Sequence, residues 1–216
     1  ALYRRIKENP DRKITPRTVI FGGKAAPGYY MAKLIIKLIS NVSNIVNRDP
    51  DMRDRLKVVF LPNYRVSLAE RIIPGTNLSE QISTAGTEAS GTSNMKFMLN
   101  GALTIGTLDG ANVEMLEEVG EENIYIFGLK TPEVFDLKRR GYNPHEYLDK
   151  NEDLRRVLTM IRENYFSPHE HGIFTPIHDS LVYNDNYLLL ADFDAYDQMQ
   201  NKVAEDYLNQ DLWNRK

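Results

Sequence analysis

The sequence predicts an α/β fold built on a parallel, doubly wound sheet. Short β-branched or aromatic runs recur at Thr18–Phe21, Leu56–Leu61, Leu78–Ile82, Leu103–Gly106 and Ile124–Phe127. Helix-prone stretches separate them, so strand and helix alternate about five times, as crossover connections between parallel strands require.

Taken in order, Leu2 to Glu8 reads as a basic helix. Thr18–Phe21 ends at Gly22-Gly23, the pattern of a buried strand stopping at a turn. Pro27 opens a long helix whose apolar face is Met31, Leu34, Ile35, Leu38, Ile39, Val42 and Ile45. Leu56–Leu61 is a strand stopped by Pro62-Asn63, and Ser67–Ile73 is a short helix ended by Pro74. Leu78–Ile82 is a weaker strand, followed by a loop dense in Gly, Ser and Thr over 83–93 and a helix over Asn94–Leu99. A helix over Ala111–Glu118 links the last two strands. Beyond Gly128 the strand signal fades; Pro132–Arg140, Asn151–Tyr165 and Ala195–Trp213 read as helices, with loops at 141–144 and 167–178. Residues 129–216 are therefore expected to pack as helices on the sheet without forming a second domain.

Composition narrows the function classes. The 216 residues are 42% hydrophobic, enough for a sizeable core. With 27 Lys plus Arg against 30 Asp plus Glu, the net charge of -3 argues against nucleic-acid binding. No cysteine occurs, which excludes disulfides and thiolate metal sites and fits a cytoplasmic location. No apolar run reaches the roughly 20 residues a membrane helix needs, so no membrane partner is expected. The first residue is not Met, and the chain reads as a fragment of something longer.

Ligands of open α/β sheets settle at the carboxyl ends of strands. This directs attention to Gly22-Gly23-Lys24, to Asn63-Tyr64-Arg65 and above all to Gly86–Ser93. The amides of Gly91, Thr92 and Ser93 begin a helix, whose positive end favours an anion. Lys96 follows Thr92 by four residues, one turn of roughly 5.4 Å. A phosphate on the amides with an aldehyde at the lysine describes pyridoxal phosphate; Arg65 offers a second, bidentate phosphate contact and Tyr64 a wall for the ring. A capped turn followed by a solvated lysine is the plainer alternative. Gly86 and Gly91 also keep the spacing of a nucleotide P-loop, but Thr92 stands where that loop needs lysine. His169-Glu170-His171 reads as an exposed loop, not a metal site, and Asp109 as either catalytic or a helix N-cap.

The segment Glu88-Ala-Ser-Gly-Thr-Ser-Asn-Met-Lys96 resembles the pyridoxal-phosphate signature of the glycogen, starch and maltodextrin phosphorylases. The likeness extends to Gly22–Tyr29, Asn63–Glu70, Ser79–Gly86 and Asn100–Glu114, and more faintly to Gly141-Tyr142-Asn143 and Phe166-Ser167-Pro168. It implies that residues 1–216 form the C-terminal, cofactor-binding half of a glycosyltransferase-B fold. It also implies reversible phosphorolysis of terminal α-1,4-glucosidic bonds to glucose 1-phosphate. Carried over by position, Lys96 would bear the cofactor as a Schiff base. Gly91, Thr92 and Ser93 would hold its phosphate, and Tyr64 and Arg65 would line its site. Glu88, Ser90 and Gly91 would bind the glucosyl unit. Ser93 departs from the glycine found in many members, a concern only if its φ angle is positive.

The implied partners are inorganic phosphate, an α-glucan, an N-terminal domain of the same protein and, at full length, a second copy. The family's basic Lys-Arg-Ile-His-Glu-Tyr-Lys segment would precede residue 1, so the 216 residues alone are expected to be inactive. The competing reading is a non-catalytic sugar-phosphate or cofactor-binding module of the same fold.

Overall fold

A computed structural model describes residues 1–216. The chain is α/β, and every strand pairing is parallel. It divides into two compact units, 1–64 with 148–184, and 65–147 with 185–216. The five expected strands are present, yet they form two sheets of two and three strands in place of the single doubly wound sheet expected. Strand patterning registers alternation with helices; it does not encode which strand edges meet.

In the first unit, β1 (Arg17–Gly22) pairs in parallel with β2 (Leu56–Leu61), Val19 opposite Val58, across the helix α2 (Tyr30–Arg48). Its core joins Tyr3 and Ile6 of α1 (Leu2–Glu8) to Val46, Met52, Leu56 and Val58. The edge of β2 is closed by a side chain: Asn47 donates to the Val58 carbonyl (2.7 Å) and accepts from its amide (3.0 Å), completing the ladder as a strand would. Ion pairs of Arg4 and Arg5 with Asp153, and of Arg156 with Glu8, tie α1 to α8 (Glu152–Arg162). The α2 stripe turns further than its spacing suggests, burying Leu34 and Val46 while Ile35 is exposed. Glu170, in the exposed 169–171 loop, pairs with Lys37.

Tyr64, the last residue of this unit's first stretch, lies against Gly22: a Cβ there would fall 2.7 Å from the Tyr64 ring. Gly22→Ala is expected to cost ~1–3 kcal/mol in urea unfolding, the usual penalty of overpacking. Adding Tyr64→Ala should recover most of that loss. Additive costs would mean that the ring is not what the methyl meets.

In the second unit β4 (Leu103–Gly106) is central, between β3 (Leu78–Gln81) and β5 (Tyr125–Ile126), and all four of its residues are buried. The crossovers are α4 (Ser93–Leu99) and α5 (Asn112–Val119). Leu103, Ile105, Tyr125, Phe127 and Val203 form the core with α10 (Leu189–Leu208), and Trp213 of α11 (Gln210–Arg215) packs against it. The expected single helix over 195–213 is thus two, broken at Asn209, whose side chain accepts from Leu212 N–H. The helices α3 (Val66–Ile72), α6 (Thr131–Arg140), α7 (Pro144–Lys150) and α9 (Thr175–Asp179) complete the set; α7 and α9 lie outside the helices expected from the sequence. The boundary between units falls within α7. No helix is long and apolar enough to cross a membrane.

The start of α10 is fixed by a buried carboxylate. Asp185 accepts from the amides of Leu189 and Leu190 (both 2.9 Å) and from the Tyr142 hydroxyl (2.5 Å). Burial, with the Asp185 charge beside it, pushes the Tyr142 phenol up. One turn into the helix, Asp192 is buried and accepts from Leu129 N–H (2.8 Å). Its carboxyl is raised above the ordinary 3.8 by burial and by the charges of Asp185 and Glu133, against the opposing Leu129 hydrogen bond. Ionisation is thus harder in the folded than in the unfolded chain. The penalty is present above the folded pKa and disappears as pH falls through it toward 3.8. Asp192→Asn, which keeps an acceptor for Leu129, should therefore be more stable than the parent at pH 7. That advantage should vanish in acid, as read from unfolding curves across pH; a constant difference would contradict it.

Candidate active site

Between β3 and α4 the chain makes a long loop, 82–92, that carries the site. Thr87 N–H donates to the Thr84 carbonyl (3.0 Å), making a tight turn, and Gly86 (φ 87°) and Gly91 (φ 78°) take left-handed conformations that favour glycine. Residues 86–90 are exposed, so no sheet or core holds them. They are held instead from the β4–α5 turn. Asp109, only 5% exposed, accepts from Gly86 N–H (2.8 Å), Glu88 N–H (3.0 Å) and the Ser83 hydroxyl (2.6 Å). The Ser90 carbonyl accepts from Ala111 N–H (2.7 Å) and the Asn94 side chain (3.3 Å). Asn94 in turn donates to Asn112 (3.1 Å), which donates to the Gln81 and Thr107 carbonyls.

This network encloses a cavity of about 150 Å3. Five of the residues singled out in the sequence line it together: Glu88, Ser90, Gly91, Ser93 and Asp109. The Glu88 carboxylate and the Ser90 amide face each other at 3.5 Å, a marginal contact. Ser93 is the first helical residue of α4 and its φ is not positive, so the substitution for glycine carries no backbone strain; its hydroxyl donates to the Gln81 side chain (3.3 Å).

Thr92 and Lys96 lie outside the cavity lining, exposed one turn apart on α4, with Lys96 N–H donating to the Thr92 carbonyl (3.3 Å). The Lys96 amine has no ion pair or hydrogen bond, and the amides of Gly91, Thr92 and Ser93 meet no acceptor in the chain. Arg65 precedes α3 (Val66–Ile72) and donates to the Ser67 hydroxyl (3.0 Å). Tyr64 belongs to the other unit, against Gly22.

The sequence model of the carbohydrate phosphorylases matches residues 1–216. The chain belongs to the carbohydrate phosphorylase family. It is 56% identical over 215 residues to the muscle form of glycogen phosphorylase from Mus musculus, covering 100% of this chain and 26% of that protein. It is 57% identical over 216 residues to the brain form from Bos taurus, again 100% and 26%. The glycogen phosphorylase of Synechocystis is 56% identical over 214 residues, 99% of this chain and 25% of that protein. The chain spans about a quarter of the length of these curated relatives.

The cavity lining brings together a carboxylate, hydroxyls and amide groups. Its supports were largely invisible in the sequence. Gln81, Asn94 and Asn112 lie within the family-like segments, but nothing local to them points to a role, and Asp109 alone suggests either a catalytic group or a cap. The residue preceding α5 is Ala111, with no side-chain cap, so the capping role is corrected. A buried acid facing loop amides is a tertiary arrangement, and only the Asp-Gly pair, a common turn signal, hints at it.

Proposed function

We propose that residues 1–216 are the C-terminal, cofactor-binding part of an α-1,4-glucan phosphorylase with a glycosyltransferase-B fold, both compact units belonging to that part. The observation that carries the proposal is the α4 entrance: acceptor-free amides at Gly91, Thr92 and Ser93, and one turn later an unpaired lysine, in a chain of the phosphorylase family. These residues fit pyridoxal phosphate, with the amides on its phosphate and the Lys96 amine as covalent anchor. Arg65, in the same unit as Lys96, would add a positive charge.

When bound, the cofactor would supply a phosphate acid–base group. The chain's own residues set the geometry. Lys96 fixes the cofactor without serving as the acid. Glu88 accepts from glucosyl hydroxyls, while the Ser90 amide donates to them and Gly91 lines the same subsite, orienting the terminal sugar. In the reaction the C1–O4 bond of a terminal α-1,4 linkage breaks, C1 bonds to an oxygen of inorganic phosphate, and O4 leaves with the proton that the inorganic phosphate gives up. The product is glucose 1-phosphate with retained configuration. An N-terminal domain of the same protein and a second copy complete the enzyme, which works in the cytoplasm.

The test is borohydride reduction and peptide mapping of the complete protein, alongside phosphate-dependent release of glucose 1-phosphate from a linear glucan. A pyridoxyl group on Lys96 together with release is expected. Label without release would favour a non-catalytic module, and absence of label from freshly prepared protein would sink the proposal. Stabilisation by ATP would point to nucleotide binding.

A further inference from the structure

We infer that Asp109 is the positioning residue of the glucosyl subsite, acting through Glu88, an inference that rests on the phosphorylase reading above. The 86–90 segment carries the proposed sugar ligands, yet it is exposed and belongs to no sheet or helix. Two of its amides, those of Gly86 and Glu88, are held by one carboxylate. Three donors converge there, Ser83 O–H, Gly86 N–H and Glu88 N–H, and an ionised carboxyl with no proton of its own can accept all three. Asparagine, with one accepting oxygen, can keep one of the amides but turns a donor toward the other.

The hold on Glu88 is double. Asp109 takes its backbone amide, while the next residue, Gly110, runs so close that an added Cβ would lie 3.1 Å from Glu88 Cγ and 2.5 Å from the Ser90 carbonyl oxygen. Both ends of the Glu88-Ala89-Ser90 segment are thereby fixed by one turn, at the amide of Glu88 and the carbonyl of Ser90. Asp109 touches no reacting atom in this scheme. It sets where the Glu88 carboxylate and the Ser90 amide stand, and a displacement of either weakens sugar binding where orientation matters most.

The experiment is a double-mutant cycle in the complete protein, with Asp109→Asn, Glu88→Gln and their combination. Kinetics are measured in the synthetic direction with glucose 1-phosphate, and pyridoxyl content at Lys96 is measured in every variant. Asp109→Asn is expected to lower kcat/KM by roughly 10–100-fold, as for loss of a charge-assisted hydrogen bond, with pyridoxyl content unchanged. In the Glu88→Gln background it should add little, because its effect passes through Glu88.

Additive losses, unchanged kinetics, or a loss that tracks pyridoxyl content would overturn the inference and leave the phosphorylase reading standing. A parent protein with neither pyridoxyl nor phosphorolysis removes both. Should Asp109→Asn not fold, Ser83→Ala deletes one donor from the same carboxylate. A smaller loss that again disappears with Glu88→Gln supports the inference, and an additive or absent effect overturns it.

Discussion

Lys96→Arg in the complete protein is expected to abolish the borohydride-stable pyridoxyl label and to lower phosphorolysis by roughly 10²–10⁴-fold, the usual contribution of a positioned acid–base group. Arginine keeps the positive charge on the exposed face of α4 but lacks a primary amine, so charge and covalent anchoring are separated. Neither the turn of α4 nor the cavity depends on this side chain, which makes no hydrogen bond or ion pair. Stability should therefore stay near the parental value in the absence of cofactor. Retained label mapped to another lysine would refute the assignment of Lys96, and loss of fold would refute the claim that its role is local.

Gly110→Ala is expected to be the most damaging single methyl in the second unit, at about 2–5 kcal/mol. Two costs add: roughly 1–2 kcal/mol for a side chain at left-handed φ and about 1–3 kcal/mol for overpacking. The observed φ is 51°, and the new Cβ would meet backbone, the Ser90 carbonyl oxygen at 2.5 Å, which has no rotamer by which to withdraw. The loop must then move, releasing the Ala111 N–H···O=C Ser90 hydrogen bond. Gly101→Ala is the control, because φ there is 85° but no atom lies within 4 Å of the added Cβ. The difference between the two variants in urea unfolding isolates the steric part. Equal costs would show that the contact with Ser90 is unimportant.

The two variants probe features of different legibility. Lys96 stood out because a Gly/Ser/Thr loop, a helix start and a lysine one turn on are all local in sequence. Strands β1, β2 and β4 were legible for the same reason, as apolar runs with turn residues behind them; β5 proved shorter than its apolar run. α7 was missed although Pro144 suits a first helical turn, because PHEYLDK lacks an apolar stripe long enough to show a period. α9 spans five residues, too few for any periodicity. The break at Asn209 was masked by apolar spacing that continues through Leu212 and Trp213. The division into two sheets and the grip of Asp109 on residues 86 and 88 arise only when distant segments meet, which no local pattern records.

Each unit is assembled from two stretches of chain: the polypeptide leaves the second unit within α7 and re-enters it at Asp185, where the carboxylate holds Tyr142 and the first amides of α10. During synthesis the second unit therefore stays unfinished until the 148–184 excursion has left the ribosome, and its closing cross-link is a hydrogen bond spanning that excursion. No single cut yields either unit as a continuous polypeptide. Excising the second unit would require bridging Tyr147 to Asp185 with a new linker, whereas truncation after residue 147 removes α10 and with it Val203, the Leu188 contact to Ala85 and Val134, and the Asp185 lock.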